Sequence, residues 1–296
     1  ASWENGKWVY TALMHAHIPV DALDEALLLT EDISRYKVIV ICGSHVRRDV
    51  AEKLAKWVEQ GGTLWTDGWG MAEDQAREPL DVLLPVLGLK KRVELQQWGV
   101  VPRYGATRLR AVRPMGETQP DVTVKAEKLV SGSYKPVVGR EVLQPAAGTE
   151  VLARYSDGGA AMTRHRYGEG TAYVVGTYAG VEYAWETMQR KPFDPHKRTW
   201  LAAPVREAGV RAVVDAAEPL VEGVMLRSRK DGRLAVVLIN WKFKVDEPMT
   251  LAIRGAGPIK SARSIALNKK LPVSMEGDLA RLTVPKLDEG DILLLE

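Results

Sequence analysis

Retaining hydrolysis of a glycoside needs two carboxyl groups about 5 Å apart, one to donate a proton and one to attack carbon. Asp67, Glu73, Asp74 and Glu169 are the acidic residues with informative surroundings, and spacing pairs none of them. Glu169 lies between Gly168 and Gly170, a hairpin-turn setting that points to a solvated side chain. Asp67 follows Leu64-Trp65-Thr66, at the carboxyl edge where open α/β sheets bind ligands. Capping a loop is the competing, structural role for it. Cys42, between a strand and a helix with His45 nearby, has the ingredients of a thiol nucleophile. Such a thiol needs a glycine-flanked elbow that exposes sulfur beside backbone donors. Here Val40 and Ser44 flank it and no His-x-Glu pair follows, so an inert thiol is expected.

No metal centre or cofactor is expected. His15 and His17 are two apart, which on a helix sets them on nearly opposite sides, and His45, His165 and His196 are isolated. HExxH and CxxC patterns are missing. Gly61-Gly62 closes a helix, whereas a phosphate cradle would open one. The 9 tryptophans against 2 phenylalanines are more telling, because an indole joins a flat apolar face to a donor. Trp57 and Trp65 suit a core. Trp69 and Trp98 fall in loops near the same carboxyl edge, where a subunit interface, local core and sugar stacking are all open to them.

Bulk properties narrow the classes further. With 296 residues, 46% hydrophobic and 27% charged, the chain can build one large or two ordinary cored domains. A net charge of +3 argues against nucleic-acid or anionic-membrane partners. The one basic stripe, Arg103, Arg108, Arg110 and Arg113, lacks an aromatic ladder and reads as a solvated face. No apolar run reaches the roughly 20 residues that cross a bilayer, and the first residues do not form a signal peptide. A single cysteine fits a reducing compartment, so a cytoplasmic location is expected.

The elements that would position these residues centre on Lys37 to Trp69. Val38 to Ile41 is a short apolar run that suits a covered parallel strand. Val50, Leu54, Trp57 and Val58 then share one face of a helix with Asp49 near its start and Gly61-Gly62 at its end. Thr63 to Thr66 is the next strand, completing a right-handed βαβ unit. Upstream, Asn5 to His17 predicts a helix with Trp8 and Ala12 inward, Val20 to Leu23 a short strand, and Asp24 to Leu29 a helical turn or loop. Downstream come a helical segment over Pro79 to Leu87 closed by Gly88, and an irregular β insertion over about 91–148, with strands near Thr107 to Val112 and Val122 to Lys125. A three-stranded meander spans Val151 to Val175, and helices cover Glu182 to Arg190 and Arg198 to Ala208. From about Arg211 the pattern turns all-β. Its best hairpin joins Val224 to Arg229 with Leu234 to Trp241, and further strands fall at Met249 to Ile253, Ile259 to Ile265, Leu279 to Val284 and Asp291 to Leu295. The expected fold is a flavodoxin-like, doubly wound α/β domain over 1–210 and a small antiparallel β-sandwich over 211–296. Opening on a helix is odd for such a sheet. Either a first strand lies upstream of Ala1, which we favour, or the sheet is one strand short.

Four stretches resemble the non-catalytic part of glycoside hydrolase family 42 β-galactosidases. His17-Ile18-Pro19-Val20-Asp21 looks like that family's link between first helix and second strand. Tyr36-Lys37-Val38-Ile39-Val40 through Gly61-Gly62-Thr63-Leu64 is similar to its strand, helix and double-glycine turn. Tyr167-Gly168-Glu169-Gly170-Thr171-Ala172-Tyr173 with Gly176-Thr177-Tyr178 looks like its late hairpin, and Leu238-Ile239-Asn240-Trp241 is similar to its terminal β domain. The resemblance implies a trimerisation domain of flavodoxin or amidotransferase-like type plus a C-terminal β domain, without the barrel that holds the family's two catalytic glutamates. It implies a homo-oligomer, a trimer by analogy, that flanks an active site and has carbohydrate as a possible ligand. Asp67, Trp69, Trp98 and His45 are the ligand or interface candidates, and no catalytic residue is expected. Two rivals stand beside it: a carbohydrate-binding module that uses the loop tryptophans, and an amidotransferase-like hydrolase that uses Cys42.

Overall fold

A computed structural model describes residues 2–93, 96–98, 121–242 and 245–296. The Arg103 to Arg113 stripe and the strand expected near 107–112 lie outside the described residues. The chain forms two compact units, one of residues 1–12 and 21–210, the other of residues 13–20 and 211–296. Among the described residues no helix is long and apolar enough to cross a membrane.

Helix α1 (Ser2–His15) gives the first unit its residues up to Ala12, and a short α2 (Glu25–Thr30) starts where the Asp24 carboxylate accepts the Leu27 N–H. The strand expected over Val20 to Leu23 does not form. Asp21 instead accepts the Tyr36 hydroxyl and Asp24 caps α2, so local polar bonding outcompetes a ladder. The βαβ unit is as its pattern predicts: β1 (Val38–Ile41), α3 (Arg48–Glu59) and β2 (Thr63–Asp67), with β1 parallel to β2. Val50, Leu54, Trp57 and Val58 of α3 pack with Leu64, Ala172 and Val174 in the core on one side of the sheet. A one-turn α4 (Leu84–Leu87) ends at Gly88, whose φ of 64° is left-handed.

The same sheet continues through β3 (Val124–Ala126), β4 (Ser133–Tyr134) and the meander β5 (Glu150–Tyr155), β6 (Ala160–Tyr167) and β7 (Gly170–Val175), in the spatial order β1-β2-β7-β6-β5-β3-β4. Only β1, β2 and β7 run parallel; the other pairings are antiparallel. The layer is therefore a mixed α/β sheet whose parallel part is β1, β2 and β7, with α3 on one side and the two helices that follow β7 on the other. Helices α5 (Ala179–Met188) and α6 (Pro195–Glu207) follow β7 and, with Trp65, Met162 and Val175 of the sheet, enclose a small cavity on the side away from α3. Gly180 lets α1 approach α5 closely: a Cβ there would stand 2.1 Å from the Asn5 carbonyl oxygen.

The second unit is one continuous antiparallel sheet. Its strands are β8 (Val214–Ala216), β9 (Val221–Arg227), β10 (Leu234–Asn240), β11 (Met249–Arg254), β12 (Ser261–Ser264), β13 (Lys269–Glu276), β14 (Leu279–Val284) and β15 (Gly290–Leu295), in spatial order β8-β11-β14-β13-β12-β15-β10-β9. The two end strands nearly meet, since a Cβ on Gly223 of β9 would lie 2.3 Å from Val214 Cγ1 of β8. The expected sandwich is thus a single sheet curled almost into a barrel around Val236, Leu238, Leu251, Leu282 and Leu293. Two strands escaped the pattern: β8 has three residues, and β13 carries Pro272, a residue that cannot donate to a ladder. Within this unit His17 lies between acceptors, its Nδ1 3.1 Å from Asp215 and its Nε2 near the Glu218 and Val221 carbonyls.

Candidate functional site

The carboxyl ends of β1 and β2 open into two loops that backbone hydrogen bonds lace together. Met71 N–H donates to Gly43 O, Glu73 N–H to Ser44 O, and Val46 N–H to Glu73 O. Asp67, Trp69 and His45 lie on this edge, and the structure gives the four candidate residues different tasks.

Asp67, the last residue of β2, is wholly buried. Both of its oxygens accept the Asn5 side-chain amide, at 2.8 and 2.9 Å, and Oδ2 also accepts the Ala179 N–H at the start of α5. Asn5 uses its own oxygen to accept the Gly180 and Val181 N–H groups. One carboxylate and one amide therefore serve three orphan donors of the α5 N-terminus and fasten α1 to the same point. Burial pushes the Asp67 carboxyl up to about 7, while Asn5, the Ala179 N–H and Cys42 pull it back. With its acceptors committed in the interior, Asp67 is a fastener, and the ligand role considered for it gives way to the capping role.

Cys42 is half-buried as a residue, but its thiol turns inward to Asp67. Burial and the neighbouring carboxylate push the thiol well above its ordinary value, which suppresses the thiolate a nucleophile requires. In the native protein Cys42 is expected to resist iodoacetamide at pH 8 and to react fully in denaturant. Native labelling at the rate of a free thiol, followed by mass spectrometry, would contradict this.

His45 is 45% exposed at its side chain and pairs with Glu73 at 3.0 Å, its other ring nitrogen lying 2.9 Å from Ser44 Oγ. These are loop contacts, and none reaches Asp67. Trp69 sits at the tip of the β2 loop with a left-handed φ of 69°, a backbone position uncommon for a bulky residue. Its half-buried ring lies under the Arg92 guanidinium, 5.3 Å from the centroid. Trp98, by contrast, is buried at 1% exposure and has no ring face at the surface, which removes it from the sugar-stacking candidates.

Sequence reasoning missed the groups that organise this edge. Arg92 makes a two-pronged ion pair with Glu141, at 2.8 and 2.6 Å, and donates to the Gly70 carbonyl at 2.7 Å. Both side chains are almost fully buried. Arg92 thereby holds the Trp69 loop at both the indole ring and the Gly70 carbonyl. No local pattern joins residues 92 and 141, so only the fold could reveal the pair. Glu182 did leave a trace, as a lone acid within the apolar run AGVEYAW.

Glu182 accepts the Val137 N–H at 2.7 Å through one oxygen, and the other has no hydrogen-bond partner among the described residues. Burial raises its carboxyl to about 8, against the pull of the Val137 N–H and Lys197. The unfolded chain sheds this proton near the ordinary 4.5, whereas the folded chain keeps it up to about 8. Stability from the neutral carboxyl is therefore fully present below 4.5 and falls as pH rises through 8. Glu182→Gln is expected to flatten that decline by a few kcal/mol, read as melting temperature against pH. An unchanged slope would show that Glu182 titrates in the ordinary range.

Chemically the edge offers a positioned tryptophan and a buried cation, with Asp67 and Glu141 both consumed in internal bonding. Among the described residues no cluster of three or more His, Cys, Asp or Glu side chains is placed to hold a metal ion.

No family model and no curated protein matches the sequence. Solved structures do match. The β-galactosidase from Bacillus circulans sp. alkalophilus aligns with a TM-score of 0.67 at 21% identity, over 100% of this chain and 38% of that one. A catalytic mutant of a GH42 β-galactosidase from G. stearothermophilus aligns at 0.63 and 16% identity, over 97% and 35%. The α-L-fucosidase isoenzyme 2 from Paenibacillus thiaminolyticus aligns at 0.66 and 13% identity, over 99% and 45%. The chain thus spans less than half the length of each of these enzymes. In fold, essentially all of it is similar to a minority portion of a family 42 β-galactosidase chain, as its sequence resemblance implies.

Proposed function

We propose that this chain is the non-catalytic, oligomerising and active-site-flanking portion of a glycoside hydrolase of β-galactosidase type. Coverage is the observation that carries it: nearly the whole chain is matched, yet only 35–38% of the β-galactosidase chains is. Among the described residues, Asp67 and Glu141 at this edge are already bonded internally, which supports the same reading. On this reading β1, β2 and β7 are the core of a flavodoxin-like trimerisation domain, over about 1–210, and residues 211–296 are the terminal β domain. The first unit would bury a surface bearing Trp69 against a neighbouring copy and so fix each catalytic barrel relative to the next. A cytoplasmic setting suits its lone Cys42.

Two measurements test this together. The purified chain should sediment as more than one copy and should leave a nitrophenyl β-galactoside uncleaved. Cleavage that copurifies with the chain and disappears on replacing Asp67 or Cys42 would overturn it. Trp69 supports a second reading, a carbohydrate-binding module, because its ring is held at a loop tip by Arg92. Titration calorimetry with galactosides separates the two: saturable binding by this chain that Trp69→Ala abolishes favours the module.

A further inference from the structure

The outer face of the β9-β10-β15 ribbon is apolar where an antiparallel sheet facing water should be polar. Two rows cross it in register. Val224 pairs with Val237 and Val237 with Ile292; one row along, Leu226 pairs with Ala235 and Ala235 with Leu294. Within these three strands no charged side chain interrupts either row, and Arg263 of β12, opposite Leu294, bounds the second. Ile239 extends the patch along β10, and Ile265, whose N–H donates to the Ile292 carbonyl, extends it sideways. The six large members, Val224, Leu226, Ile239, Ile265, Ile292 and Leu294, are each between 38% and 52% exposed.

We propose that this face is a two-fold interface with a second copy of the same chain. Area is the first argument. The exposed apolar surface of those six side chains sums to roughly 500 Å², about the apolar share of a standard interface that covers roughly 800 Å² per partner. Charge is the second. Glu222 lies at one end of the patch, opposite Ile239 on β10; at the other end Arg233, 82% exposed and paired with Asp231, precedes β10, and Arg263 stands opposite Leu294, leaving that end net positive. A two-fold axis between the faces, running across the strands, reverses strand direction and sets the Glu222 end of one copy over the Arg233 end of the other. The face is its own electrostatic complement, as an isologous contact requires.

Ultracentrifugation of the full chain tests this. Ile292→Lys places a charge in the centre of the patch, on a side chain that a single copy leaves in water, and is expected to halve the mass of the assembly. Glu222→Arg alone should weaken association about tenfold by apposing like charges, and adding Arg233→Glu should restore it. A single-copy wild type, an assembly that survives Ile292→Lys, or a charge exchange that fails to restore association overturns the proposal and leaves the face to a different polypeptide. Assembly through the first unit is read separately: if it fails, wild-type association stops at two copies, and if it holds, Ile292→Lys leaves an oligomer of half the mass.

Discussion

Asp67→Asn is expected to destabilise the protein by about 3 kcal/mol at pH 8, although the two side chains are nearly the same shape. At that pH, above the carboxyl's raised value of about 7, Asp67 accepts on both oxygens. The Asn5 amide donates to each oxygen and the Ala179 N–H to Oδ2. The substituted amide has one acceptor and would aim its own N–H groups at these donors, leaving buried groups unsatisfied and the α5 N-terminus open. Asn5→Ala should cost a similar amount, since it frees the Gly180 and Val181 N–H groups as well. The two losses should be far from additive, because both break one network. Urea unfolding of the single and double variants measures this; additive losses would mean that the two residues act independently.

The Arg92–Glu141 pair should give the other large effect, with the opposite lesson for the double variant. Glu141→Leu strands a guanidinium whose side chain is only 9% exposed, and a loss of about 3–5 kcal/mol is expected. Arg92→Met with Glu141→Leu removes both charges and should recover most of that stability, because desolvation offsets much of what the pair gains. The backbone holding Trp69 would still lose the guanidinium that donates to Gly70, so tryptophan fluorescence should change even where stability returns. A double variant as unstable as the single one would show that the pair does more than neutralise itself.

Much of the fold was legible because it is local. The βαβ unit announces itself through an apolar run, a helical stripe and a glycine pair, and β1 was bounded at Val38 to Ile41 from these signals. The meander and most strands of the second unit followed from alternation between turn residues. Sheet composition was harder. The antiparallel β6–β7 hairpin is local, but nothing in residues 170–175 states that β7 lies parallel to β2, a partner over 100 residues away in sequence. The same holds at the candidate site. Asp67 was singled out by its place at a strand's carboxyl end. Its buried partner Asn5 entered only as the start of a predicted helix, and nothing local to it names a partner 62 residues away.

The ownership of residues 13–20 has a consequence for how the molecule is made. This short strap belongs with the C-terminal strands, though the whole of 21–210 is synthesised between them. During translation it must wait, its apolar Ile18 exposed, until the stretch bearing Asp215 and Val221 emerges to receive His17. Closing so long a loop is slow, and a chaperone that shields the strap in the meantime would speed the step at which it docks.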